Sequence, residues 1–211
     1  EDEATYQYAY DKKDRVISQT NPLGASSTFK YDGNDNVTEA ADENGTVTKY
    51  AYDKNNNLVS QTDGNGNTTT YQYDELDRKI GETSPLKETN EYRYDAIGNL
   101  TKSKDPMGLI TEYKYDSLSN LTEQISPKGA VTKYDYDKHG NVISVTDPKG
   151  NTTQYSVDLN DNVTKMTQAN GGEYTYNYDK AGRLESMTSP LGYTKNFSYD
   201  KVANVVKESD S

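Results

Sequence analysis

A tyrosine–aspartate pair returns every 21 residues along this chain, and the register never slips. It stands at Tyr10-Asp11, Tyr31-Asp32, Tyr52-Asp53, Tyr73-Asp74, Tyr94-Asp95, Tyr115-Asp116 and Tyr136-Asp137, then resumes at Tyr178-Asp179 and Tyr199-Asp200. The intervening copy, Val157-Asp158, keeps the Asp and exchanges Tyr for a β-branched residue. A fixed period of this length marks an architecture in which each copy is one supersecondary unit stacked on the next. Residues 1–211 therefore read as a single array of about ten repeats.

Other columns keep the same phase. Two residues before each pair stands an aromatic: Tyr8, Phe29, Tyr50, Tyr71, Tyr92, Tyr113, Tyr134, Tyr155, Tyr176 and Phe197. Four residues after the repeat Tyr comes a turn former in most copies, such as Asp35, Asn56, Gly98 or Gly140. Asn or Arg follows it, then an aliphatic column running from Val16 to Val205, broken at Lys79. All six prolines share one column, and two residues later most copies carry Gly, with Lys87 as the exception.

These columns specify a hairpin. Thr68 to Tyr73 alternates, so both Tyr side chains lie on one face of a strand and Gln72 on the other. Thr and Tyr suit a pleated surface. The segment after the YD pair supplies a residue tolerant of positive φ, as a tight turn needs. A second strand starts at the aliphatic column, although its faces are poorly sorted because Ile17, Val59, Ile80 and Ile143 sit one residue late. The Pro-x-Gly segment ends it. The expected fold is all-β: tandem hairpins in a long, curled antiparallel sheet of spiral or solenoid type. Twenty strands at about 4.8 Å each would extend about 95 Å. The array starts and stops partway through a repeat without caps, so it reads as an excised fragment.

Composition narrows the function. Only 31% of residues are apolar, with 20 Tyr and no Trp, so a thick aliphatic core is not expected. The net charge of −11 argues against nucleic acid and anionic membranes as partners. Cysteine is absent, which excludes disulfides and thiolate metal sites. No apolar run reaches the length of a membrane span, and the polar stretch Glu1 to Tyr10 is not a signal peptide.

Taken together, Tyr-x-Tyr-Asp-x-x-Gly-Asn/Arg-Leu/Val followed by Asp-Pro-x-Gly closely resembles the YD or Rhs repeat over essentially the whole chain. The resemblance implies a wall of a hollow β-shell. In bacterial Rhs proteins, wall-associated polymorphic toxins and Tc toxin cocoons, such a shell encloses a C-terminal toxin; in teneurins a similar barrel carries adhesion modules. It implies a secreted or cell-surface protein, bacterial on its Lys- and Asn-rich, Cys-free composition. The implied partner is an enclosed or fused C-terminal effector, and open sheet edges add end-to-end self-association. The family also ends its shells with Asp-Pro-x-Gly-Leu. Asp105-Pro106-Met107-Gly108-Leu109 matches those letters, but it occupies ordinary repeat columns and further repeats follow.

Nothing in the sequence assembles a catalytic, cofactor or metal set, and the chain is not expected to be an enzyme. His139 is a lone turn histidine. Asp32 to Asn36 and Asp63 to Asn67 look faintly like calcium loops but read better as turns. The Asp of each pair is placed to accept N–H bonds from the turn that follows. The Tyr columns read as cross-rung cement. The alternative is a cell-surface adhesion module binding glycans through its tyrosine-rich face.

Overall fold

The computed structural model describes residues 5–210. Twenty strands run from Gln7–Tyr10 to Val205–Asp210, joined by short turns, and the described residues contain no helix. The all-β hairpin array expected from the columns is the fold that forms. The repeat boundaries at the two ends include residues 1–4 and 211, which lie outside the described residues.

Contacts divide the chain into two units. One holds residues up to Arg93 together with Ser103–Leu109; the other holds Tyr94–Lys102 and Ile110 onward. Within each unit, strands pair antiparallel with their sequence neighbours. The repeat centred on Tyr136 represents the rest. Its first strand, Val131–Tyr136, pairs with its second, Val142–Thr146, and that strand pairs in turn with Thr152–Val157 of the next repeat. Tyr134 and Tyr136 are half-buried on one face, while Lys133 and Asp135 are exposed on the other.

The second strand is not a regular strand. Asp135 pairs with Ser144 but Tyr136 pairs with Val142, so Ile143 is an extra residue opposite the tyrosine. The same one-residue slip occurs at Tyr10, Tyr52 and Tyr73, where the extra residues are Ile17, Val59 and Ile80. A β-bulge sets two residues against one and disturbs the alternation of faces. This is why the aliphatic pattern of the second strand looked poorly sorted in the sequence.

Both turns of a repeat share one backbone frame. At the YD turn, the Asp137 N–H donates to the Asn141 carbonyl at 2.9 Å and the Gly140 N–H donates to the Asp137 carbonyl at 3.2 Å. At the Pro–Gly turn, Ser126 and Ala130, then Gly129 and Ser126, repeat that pattern at 2.9 Å each. The fourth residue of each loop lies at positive φ, as Gly140 (88°) and Gly129 (78°) show.

No hydrophobic side chain among the described residues is fully buried. The cohesion of the array therefore rests on main-chain ladders and on contacts made sideways between rungs. On the polar face these are hydroxyl pairs such as Thr62–Thr68 (2.8 Å) and Thr146–Thr152 (2.9 Å), with ion pairs such as Lys30–Glu39 and Lys114–Glu123, both 2.7 Å. Exposed ion pairs contribute little individually. The stronger sideways links lie on the tyrosine face.

Candidate functional site: the tyrosine ladder and its aspartate caps

The repeat tyrosines do more than cover one another. The Tyr136 hydroxyl donates to the backbone carbonyl of Leu121, fifteen residues earlier, at 2.8 Å. Leu121 opens the second strand of the preceding repeat, at its bulge. The bond recurs from Tyr31 to Val16 (2.7 Å), Tyr73 to Leu58 (3.0 Å), Tyr115 to Leu100 (2.9 Å), Tyr178 to Val163 (3.0 Å) and Tyr199 to Leu184 (2.8 Å). Each one stitches a hairpin to its predecessor, and at Val16, Leu58, Leu121, Val163 and Leu184 it does so where a bulge disrupts the ordinary ladder. Burial pushes the Tyr136 and Tyr178 phenols above their ordinary pKa, with the neighbouring Tyr134 and Tyr176 adding to the effect.

The sequence carried a signal for this bond. The aromatic column two residues earlier admits Phe29 and Phe197, whereas the YD column never admits Phe. A column that needs only a ring tolerates Phe; one that needs a hydroxyl does not. At Val157 the hydroxyl is missing, and Val142, fifteen residues back, is the carbonyl it would have met.

The aspartates beside the tyrosines cap their own turns. Asp32 Oδ1 accepts the N–H groups of Asn34 and Asn36, both at 2.9 Å, and Oδ2 accepts the Asn36 side-chain amide at 3.0 Å. The Asn36 amide holds the Asp32 carboxyl below its ordinary pKa, against the opposing effect of burial, and the two backbone N–H groups add to the depression. Asp11, Asp53, Asp74, Asp95, Asp116, Asp137, Asp158, Asp179 and Asp200 accept the equivalent pair of backbone bonds. The calcium-like segments are such turns: the Asp63 carboxylate is engaged by the Asn65 and Asn67 N–H groups and the Asn67 amide, all at 2.9 Å. His139 contributes its backbone N–H to Asp137 at 2.8 Å. Asp105 caps Met107 and Leu109 at 2.9 and 2.8 Å, the ordinary behaviour of a Pro–Gly turn.

The Asn/Arg column links neighbouring YD turns. Asn57 donates to Asp53 in its own turn and to Asp77 in the next, and Asn141 reaches Asp161 at 2.7 Å in the same way. Two guanidiniums of this column also lie over the next tyrosine ring: Arg15 over Tyr31 at 4.5 Å and Arg183 over Tyr199 at 4.7 Å. Lys79, the break in the aliphatic column, sits between two rings of the other aromatic column. Its ammonium is 5.7 Å from the Tyr71 centroid, 5.5 Å from the Tyr92 centroid and 2.6 Å from Glu82. The hydrogen bond it donates to Glu82 raises its pKa, against burial. A cation between aromatic faces replaces an aliphatic contact.

The arrangement thus contains bonds that hold rungs together and a face of partly covered aromatic rings. A family model described as the teneurin YD-shell matches residues 2–156 and 93–210. Among solved structures, a TcdB2-TccC3-Cdc42 crystal structure superposes with a TM-score of 0.69 at 15% identity, over 98% of this chain and 15% of that one. A TcdB2-TccC3 structure without the hypervariable C-terminal region gives the same figures. A Photorhabdus luminescens Tc holotoxin pore carrying a TccC3 mutation gives 0.61 at 17% identity, over 97% and 13%. The chain thus spans about 15% of the length of these two TcdB2-TccC3 chains, and at these identities the likeness is one of fold. No curated protein sequence matches it.

Proposed function

Because this chain belongs to the teneurin YD-shell family, we propose that it is a wall segment of a hollow β-shell that encapsulates or presents an effector domain of its parent protein. The observation that carries this reading is the construction of the sheet. In six repeats a tyrosine hydroxyl ties a rung to its neighbour, in several an Asn or Arg side chain does so as well, and among the described residues no hydrophobic side chain is fully buried. Such a sheet lengthens by adding copies, with no change to the copies already present. Its role is mechanical, and the candidate partner is an effector, toxin-like domain in the same polypeptide. The Tc proteins of like fold favour placing the parent outside a bacterial cell.

Glycan adhesion through the tyrosine face fits less well. A tyrosine that binds a sugar stacks its ring on the ligand and adds hydrogen bonds through its hydroxyl, and the Tyr115, Tyr136 and Tyr178 hydroxyls already donate to carbonyls of the neighbouring rung. Limited proteolysis of the intact parent tests the shell reading. Segments outside the array should resist protease until the array is unfolded, then be cleaved at once. Cleavage of every such segment at the same rate in native and unfolded protein would sink it.

A further inference from the structure

The tyrosine ladder is interrupted where Val157 stands in the YD column. An open cleft of about 290 Å³ lies at this position. Val142, Val145, Val157, Val163 and the ring of Tyr155 line it, and the Asn141–Asp161 hydrogen bond borders it. In the neighbouring repeat the equivalent place is filled by the Tyr136 ring, whose hydroxyl meets the Leu121 carbonyl. Here a valine leaves the ring's space open and brings no hydroxyl to the Val142 carbonyl.

The surroundings of this cleft differ from the rest of the face. Across from the first aromatic of each hairpin stand Gln19, Ala40, Gln61, Glu82 and Gln124 in the earlier repeats. Next to the cleft the same column becomes Val145, Met166 and Met187. The site therefore combines apolar walls, adaptable methionines near by and a carbonyl acceptor where other repeats receive a phenol.

We infer that the Val157 cleft is a receptor for a phenol ring, occupied by a tyrosine side chain from a polypeptide segment outside the ladder. The ladder itself identifies the occupant: the same site elsewhere is closed by a para-substituted phenol whose hydroxyl points at a backbone carbonyl. The inference holds whether or not the array encloses a cargo, so the protease experiment and the one below fail independently.

The test is methyl-resolved NMR of the full chain titrated with p-cresol and with N-acetyl-tyrosinamide, with toluene as the ring lacking a hydroxyl. Both phenols should shift the methyls of Val142, Val145 and Val163 ahead of those in other repeats. Toluene should bind roughly tenfold more weakly, the contribution of one neutral hydrogen bond. Val157→Tyr should fill the cleft, remove the selective shifts and raise the melting temperature by about 2–4 °C. Val157→Phe should also remove the shifts with less gain in stability, and it keeps the test alive if the Tyr variant folds poorly. Even shifts along all repeats, equal binding of toluene, or undiminished binding in the filled variants would each overturn the assignment.

Discussion

The two turns of a repeat share one backbone and differ in how constantly a carboxylate caps them. At the YD turn an Asp carboxylate accepts two backbone N–H groups in all ten copies, and a neighbouring Asn or Arg links several of these turns to the next. At the Pro–Gly turn the same cap forms only at Asp42, Asp63, Asp105 and Asp147; the capping position otherwise drifts among Asn21, Ser84, Ser126, Gln168 and Ser189, and Ser126 accepts from Ala130 alone, at 3.0 Å. One loop geometry is therefore reached in two ways. The residue at positive φ bends the chain at both ends; the carboxylate and its lateral partners then fasten the YD end to the neighbouring rung. The YD end is where repeats cohere, and the Pro–Gly end is where they are merely connected.

Acid should break this contrast most severely. The YD carboxylates have pKa values held below the ordinary carboxylate value, Asp158 by the Asn162 backbone N–H and side-chain amide, Asp116 by the Asn120 amide and backbone N–H. A folded pKa below the unfolded one contributes stability that is present above the unfolded value and lost as pH falls through the folded value. Melting temperature should thus hold steady near neutrality and fall steeply below about pH 4. The phenols act in the opposite sense. Burial raises the Tyr52, Tyr73 and Tyr115 pKa values, so their contribution is present below about pH 10 and is lost above it. A flat melting profile from pH 6 down to pH 2 would show that the carboxylate caps do not hold the array together.

A paired substitution sharpens the comparison locally. Asp137→Ala removes the acceptor for the His139 N–H, the Asn141 N–H and the Asn141 amide, whereas Ser126→Ala removes the acceptor for the Ala130 N–H. The fall in melting temperature should be roughly threefold larger for Asp137→Ala, in proportion to the bonds lost. Equal falls would mean that the shared backbone frame, and not the carboxylate, sets the stability of both turns.

How much of this was legible in the sequence depended on whether a feature repeats within one strand or between rungs. The strands, the turns and the aspartate caps each follow from residues within about five positions of each other, and the 21-residue period follows from the recurrence of those local patterns. Alternation, turn chemistry and Asx capping are local rules, so their columns could be read directly. The bulge was visible only as disorder in a pattern, the late Ile17, Val59, Ile80 and Ile143, because two residues facing one defeats a period of two. The hydroxyl bond spans fifteen residues and needs the register of the next hairpin to be known, so the absence of Phe from the YD column was its only trace. Lys79 read as a break in the aliphatic column; its place between Tyr71 and Tyr92 depends on rings in two different hairpins.

The smallest expected effect isolates the part the two turns have in common. Lys87 occupies the column that is otherwise glycine and adopts φ of 66° there, with its N–H still donating to the Ser84 carbonyl at 2.9 Å. A left-handed conformation costs an ordinary L-residue about 1–2 kcal/mol, while glycine loses more freedom on folding by about 0.5–1 kcal/mol. Lys87→Gly should therefore stabilise the chain by about 0.5 kcal/mol in urea denaturation. The reverse exchange, Gly129→Ala, should destabilise it by a similar amount through the backbone alone, because nothing lies within 4 Å of the added Cβ. At the YD end the same position already holds Asp or Asn in several copies, as at Asp161 with φ of 63°, and these residues tolerate the left-handed region. Asp161→Gly should gain less than Lys87→Gly, since it relieves less strain and also removes the acceptor for the Asn141 amide. If Asp161→Gly proved the more stabilising of the two, the lateral Asn–Asp bond would carry no net weight, and the distinction between a cohesive and a merely connecting end would lose its second support.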